Sequence, residues 1–157
     1  KTKPIIALAI LAGAAADLIV KAWARAVLEP YGTSQDFLPF LSLRLTFNKG
    51  VSFSMFSVDG NNEKFALLFF TALVTLAIAI WAFRTPHERE RSALAAIVAG
   101  ALGNLIDRAY FGNVTDFLSL HFGTLNLFVF NLADVWISLG VLALLFLQFK
   151  GDKREAN

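Results

Sequence analysis

The 157-residue chain contains no cysteine, which excludes disulfides, thiolate-bound zinc and a cysteine nucleophile. It has only two histidines, His87 and His121, too few for a multi-histidine metal centre. Charge is scarce as well. Asp, Glu, Lys and Arg make up 17% of the residues, where soluble domains average roughly 25%. A net charge of +2 is far below what a polyanion-binding surface carries, so a nucleic-acid partner is excluded. What fills the chain is apolar: hydrophobic residues reach 57%, 16 of them Phe, and the mean hydropathy is +0.61. Such a chain is neither disordered nor an ordinary water-soluble domain; its solvent is lipid.

The clearest membrane span is 65–83, which carries no charge and only Thr71 and Thr75 as polar residues. As a helix it is about 28 Å long, close to the roughly 30 Å hydrocarbon core. Three further spans are predicted at about 4–28, 92–110 and 131–149, giving a single membrane domain over 1–157. Pro4 suits a first helical turn. The first span has the basic start of a signal peptide, but Asp17, Lys21 and Arg25 lie inside it and three spans follow, so a retained helix is expected. Ala95, Ala96, Ala99, Gly100 and Gly103 should let the third helix approach its neighbours closely.

Lysine and arginine set the orientation. Lys1, Lys3, Arg84, Arg89, Arg91, Lys150, Lys153 and Arg154 fall on one side, against Arg44, Lys49, Lys64 and Arg108 on the other. The positive-inside rule then places both termini in the cytoplasm and the segments 29–64 and 107–130 outside. Those segments read as strands. Leu41, Leu43, Leu45 and Phe47 alternate with Ser42, Arg44, Thr46 and Asn48, and Val51, Phe53 and Met55 alternate with Ser52 and Ser54. The two runs meet at an Asn48-Lys49-Gly50 turn, and residues 114–130 are again rich in Val, Thr and Phe. The expected fold is an all-α membrane bundle of four transmembrane helices with a small extracytoplasmic β-layer, at about 36–58 and 113–130. Trp23, Tyr31 and Tyr110 fall near outer span ends, as interfacial anchors do.

Ionisable groups in membrane helices are costly and need a reason. Asp17 and Lys21, four apart, share a helix face and suit an internal ion pair, with or without a part in a site. Given the orientation, Lys21, Arg25, Asn104, Asp107, Arg108, Asn131 and Asp134 all reach the outer level, with Asp116 in the segment between the last two spans. Asp116 and Asp134, if adjacent, would share one proton and could together activate water and protonate a leaving group, with no metal and no cofactor. The plainer alternative makes Asp134 a helix cap and Asp116 a solvated loop residue. His121 is expected on the surface of the β-layer.

Four strings, in order and in register, carry a resemblance. Asn48-Lys49-Gly50-Val51-Ser52-Phe53-Ser54 resembles N-x-G-x-[AS]-F-S of the bacterial lipoprotein signal peptidases, the type II signal peptidases. Gly100 to Arg108 is similar to their G-x-x-G-N-x-x-D-R, Val114 to Phe117 to V-x-D-F, and Phe130 to Asp134 to F-N-x-A-D. The first helix departs from the family's D-Q-x-[ST]-K: Asp17-Leu18-Ile19-Val20-Lys21 keeps only the charged ends. The resemblance implies an aspartyl endopeptidase in the bacterial inner membrane that removes the signal peptide from prolipoproteins, cutting just before a diacylglyceryl-modified cysteine. It implies Asp116 and Asp134 as the catalytic pair, with Asp17, Lys21, Asn48, Asn104, Arg108 and Asn131 as support; Gly50 would shape the turn above the site. Its implied partners are lipidated prolipoproteins, membrane lipids and globomycin-type cyclic peptides, acting on a monomer.

The rival class is a non-enzymatic membrane protein, a proton relay or transporter subunit, or an inactive peptide-binding homologue. A relay needs ionisable groups through the whole membrane depth. Here the cytoplasmic halves of the spans are nearly charge-free, which favours a one-sided site.

Overall fold

Alanine, leucine and phenylalanine dominate four stretches of the chain, and each becomes a long helix. The computed structural model describes residues 2–50 and 60–155. In chain order these are α1 (Thr2–Val27), β1 (Gln35–Leu38), β2 (Leu41–Asn48), α2 (Gly60–Arg84), α3 (Glu88–Phe111), β3 (Val114–Phe122), β4 (Leu125–Phe130) and α4 (Leu132–Glu155). All four helices are long and apolar enough to cross a membrane. Their outward faces are greasy: Leu8 and Ile19 on α1, Phe65 and Phe69 on α2, and Leu142 and Phe146 on α4 are all exposed. In water such a surface would aggregate; in lipid it needs no cover.

The helices overrun the apolar segments read from the sequence, α1 and α3 at their starts by two and four residues, α2 and α4 by more. Helix α2 begins at Gly60, its first turn holding Glu63, where a carboxylate suits the helix dipole, and α4 continues to Glu155. Backbone hydrogen bonding continues past the point where hydrophobicity stops. Helix α3 is central. Buried residues make up 44% of its apolar window, against 11–22% in the other three, and it packs on α1, α2 and α4. Small residues permit this. A Cβ on Gly100 would run into the Ala133 carbonyl of α4, and one on Gly103 into the Asp17 carboxylate of α1. Helix α3 closes at Gly112, whose backbone has a φ of 72° and whose N–H returns to the Arg108 carbonyl at 2.9 Å.

The strands form one antiparallel sheet in the order β1-β2-β3-β4. It sits at the end of the bundle where α1 and α3 finish and α4 begins. Leu45 of β2 and Phe117 of β3 bury against Ala24 and Leu28 at the end of α1, tying sheet to bundle. The register sets Asn48 opposite Val114 and Thr46 opposite Asp116, with an irregularity between Leu43 and Thr46. The polar positions of the alternation are not all solvated: Ser42 is buried and donates to Asp36 Oδ1 at 3.0 Å. The alternating run from Val51 to Met55 lies outside the described residues.

Candidate active site

Five elements, α1, β2, α3, β3 and α4 with its cap, bring polar side chains to the sheet end of the bundle. On α1, Asp17 and Lys21 are both buried and lie 2.7 Å apart, an ion pair one helical turn long. Burying both charges is tolerable because each has further partners. Asp17 Oδ1 accepts the backbone N–H of Ala133 at 2.8 Å, in the first turn of α4, where free N–H groups favour an anion. Lys21 Nζ donates to Asn104 Oδ1 at 2.7 Å and lies 3.9 Å from Asp107.

From Asn104 the chain of hydrogen bonds runs to the carboxylates. The Asn104 amide donates to Asp134 Oδ1 at 3.0 Å. Asn131, fully buried, is the cap of α4: its Oδ1 accepts the Asp134 N–H at 3.0 Å, and Asp134 Oδ2 accepts the Asn131 N–H at 3.1 Å. This is a reciprocal capping box. The remaining donor of Asn131, its Nδ2, reaches Asp116 Oδ1 at 2.6 Å. One asparagine therefore holds both aspartates, Asp134 through its backbone and Asp116 through its side chain.

Asp116 lies on β3 and is only 4% exposed, so it is not a solvated loop residue. Asp134 does cap α4, and the cap is the same contact that sets it beside Asn131; the two readings of Asp134 coexist. Burial pushes the Asp116 carboxyl up to about 6, and the charge of Asp134 adds to the rise. Hydrogen bonds from Asn131 and Asn48 and the charge of Lys21 pull the other way. Arg108, at the end of α3, adds positive charge close to Asp107, Asp116 and Asp134. Asn48 uses its other amide atom locally, accepting the Gly50 N–H at 2.9 Å. That bond closes a turn in which Gly50 has a φ of 90°, and a Cβ there would strike Leu67 of α2.

Asp17, Lys21, Asn48, Asn104, Arg108, Asp116, Asn131 and Asp134 thus form one electrostatic cluster, with Gly50 at its edge. His121 lies elsewhere, toward the far end of β3. Its Nε2 is buried, without a hydrogen bond and 3.9 Å from Asp36, so it is more covered than a surface residue. The sequence pattern gave no role to Arg25 or Thr115, although Arg25 is one turn beyond Lys21 on the same face of α1. Among the described residues no group of three or more His, Asp or Glu side chains is placed to hold a metal ion. Two carboxylates held by one asparagine, one of them binding its proton near pH 6, can relay a proton to and from a bound water.

The family model described as signal peptidase (SPase) II matches residues 8–150. The chain belongs to the signal peptidase II family. It is 39% identical to the lipoprotein signal peptidase of Mesorhizobium japonicum over 159 aligned residues, covering 96% of this chain and 89% of that protein. It is 41% identical to the lipoprotein signal peptidase of Sinorhizobium fredii, covering 97% and 90%. The fold is similar to a solved bacterial membrane enzyme at a TM-score of 0.78 and 24% identity, covering 96% of this chain and 91% of that one. Of the four signal peptidase II strings, those at Gly100–Arg108, Val114–Phe117 and Phe130–Asp134 lie wholly within the cluster region. The first reaches it through Asn48 and Gly50, and its Val51–Ser54 half lies outside the described residues.

Proposed function

We propose that this signal peptidase II removes signal peptides from prolipoproteins as an aspartyl endopeptidase, cutting just before the diacylglyceryl-modified cysteine. The observation that carries the reading is the shared asparagine: Asn131 bonds Asp116 at 2.6 Å and Asp134 at 3.1 Å. The pair holds one proton. Asp134, whose two oxygens accept from Asn104 and Asn131, is the ionised partner, and the desolvated Asp116 carries the proton. Asp134 takes a proton from water as its oxygen attacks the scissile carbonyl, while Asp116 protonates the carbonyl oxygen. On collapse of the tetrahedral adduct, the proton held by Asp134 passes to the leaving amine, the C–N bond breaks, and the hydroxyl proton returns to Asp116. Lys21 and Asn104 orient Asp134; Asn48 and Arg108 support Asp116 and the substrate backbone.

The reaction consumes water, which suits a site at a membrane interface. The excess of Lys and Arg at the opposite end of the bundle supports cytoplasmic termini and an outward-facing site in the inner membrane, built on one membrane domain that works as a monomer. The signal helix and acyl chains reach it sideways from the bilayer, and a globomycin-type cyclic peptide would compete for the same groove. Incubation of purified protein with a diacylglyceryl-modified prolipoprotein tests the reading. A product shortened to the lipidated cysteine is expected; an intact substrate under folded conditions would overturn it.

A further inference from the structure

Outside the catalytic cluster, a second set of contacts converges on Arg25 of α1. Its Nε donates to Thr115 Oγ1 at 2.7 Å. Its Nη2 donates to Asp107 Oδ1 at 3.3 Å and to Asn113 Oδ1 at 3.2 Å. The guanidinium carbon lies 3.6 Å from the centre of the Phe111 ring and 4.9 Å from that of Phe47. Asp107, buried, completes the arrangement: its other oxygen accepts the backbone N–H of Thr115 at 2.6 Å. One side chain thus joins α1, β2, the end of α3, the connection at Asn113 and the start of β3.

Thr115 precedes Asp116, and neighbouring strand residues face opposite ways. Arg25 therefore grips β3 from the face away from Asn131, through a threonine that is 0% exposed. Asp107 grips the backbone at the same residue. We infer that Arg25 is a positioning residue for the reaction: acting through Thr115 and Asp107, it sets the place of Asp116 relative to Asp134. This rests on the aspartyl reading above. The guanidinium suits the task because it is planar, offers several donors in fixed directions and stacks on aromatic rings. A lysine ammonium could still meet Asp107 but could not bond Thr115 and Asn113 while lying flat on Phe111.

Displacing a reacting group by about 1 Å costs on the order of a hundredfold in rate, with little effect on binding remote from that group. Arg25→Gln should therefore lower kcat by roughly ten- to a hundredfold and leave KM within about threefold. Arg25→Lys should recover most of the thermal stability that Arg25→Gln loses, yet leave kcat low. Thr115→Val keeps the side-chain shape and the Arg25–Asp107 pair, and should show the same kcat loss should Arg25→Gln fail to fold. Parental kcat in folded Arg25→Gln or in Thr115→Val, or full rescue of kcat by Arg25→Lys, would overturn the inference. Asp116→Asn is measured in parallel. An inactive Asp116→Asn beside a fully active Arg25→Gln refutes only the role of Arg25, whereas an active Asp116→Asn refutes the aspartyl reading itself.

Discussion

Replacing Asp116 with Asn should change how stability depends on pH. In the folded chain the carboxyl holds its proton up to about 6, against an ordinary 3.8. A group that binds its proton more tightly when folded favours folding fully below the lower value and loses that contribution as pH rises through the higher one. The difference amounts to about 3 kcal/mol, at roughly 1.4 kcal/mol for each tenfold change in proton affinity. Because Asp116 is 4% exposed, little of this is lost to solvent screening. The amide has nothing to titrate. The stability of Asp116→Asn relative to the parent should therefore rise by about 3 kcal/mol between pH 3 and pH 7, or roughly 6–12 °C in Tm for a chain of this size. Thermal unfolding of both proteins in one detergent, followed at half-unit pH steps, reads the difference directly. Carboxylates that do not interact with Asp116 cancel. Parallel curves for the two proteins would refute the burial argument for Asp116.

Gly50→Val should lower turnover by about tenfold or more while the helices stay folded, because a left-handed backbone with a side chain costs about 1–2 kcal/mol and the new side chain would press on Leu67. Parental turnover in a folded Gly50→Val protein would remove this turn from the mechanism. The chain lacks cysteine, so His87→Cys places a single thiol in the α2–α3 connection. An impermeant thiol reagent should label it only after cells are opened; labelling in intact cells would contradict the proposed orientation.

The spans were legible because lipid demands uniform apolarity, as in 65–83. Their ends were not, since Glu63 and Lys64 continue α2 on hydrogen bonds that hydropathy does not register. Strand β2 showed itself by alternation. The split of 114–130 into β3 and β4 was hidden, because it turns on Gly123, one residue with a φ of 59° in a run rich in Val, Thr and Phe. Reading helix direction from Lys and Arg brought Asn104, Arg108, Asp116, Asn131 and Asp134 to one level. The way they connect, with Asn131 bonding both aspartates, is a matter of ångströms that spacing does not contain. The sequence puts Arg25 at the same level but hides its role for the same reason: its partners Asp107, Asn113 and Thr115 lie 82, 88 and 90 residues away in the chain.

Turnover of diacylglyceryl-modified prolipoprotein by Asp116→Asn, Asp134→Asn and the double variant bears most directly on the paired carboxylates. Each single change keeps side-chain size but removes a proton carrier, and should lower kcat at least roughly a hundredfold. Because the two act as a unit, the double variant should be little slower than either single one. Thermal stability is recorded on the same samples, since Asp134 also closes the cap of α4 with Asn131 at 3.0 and 3.1 Å. Loss of turnover in folded protein is the predicted result; near-parental cleavage by folded Asp134→Asn would contradict the account.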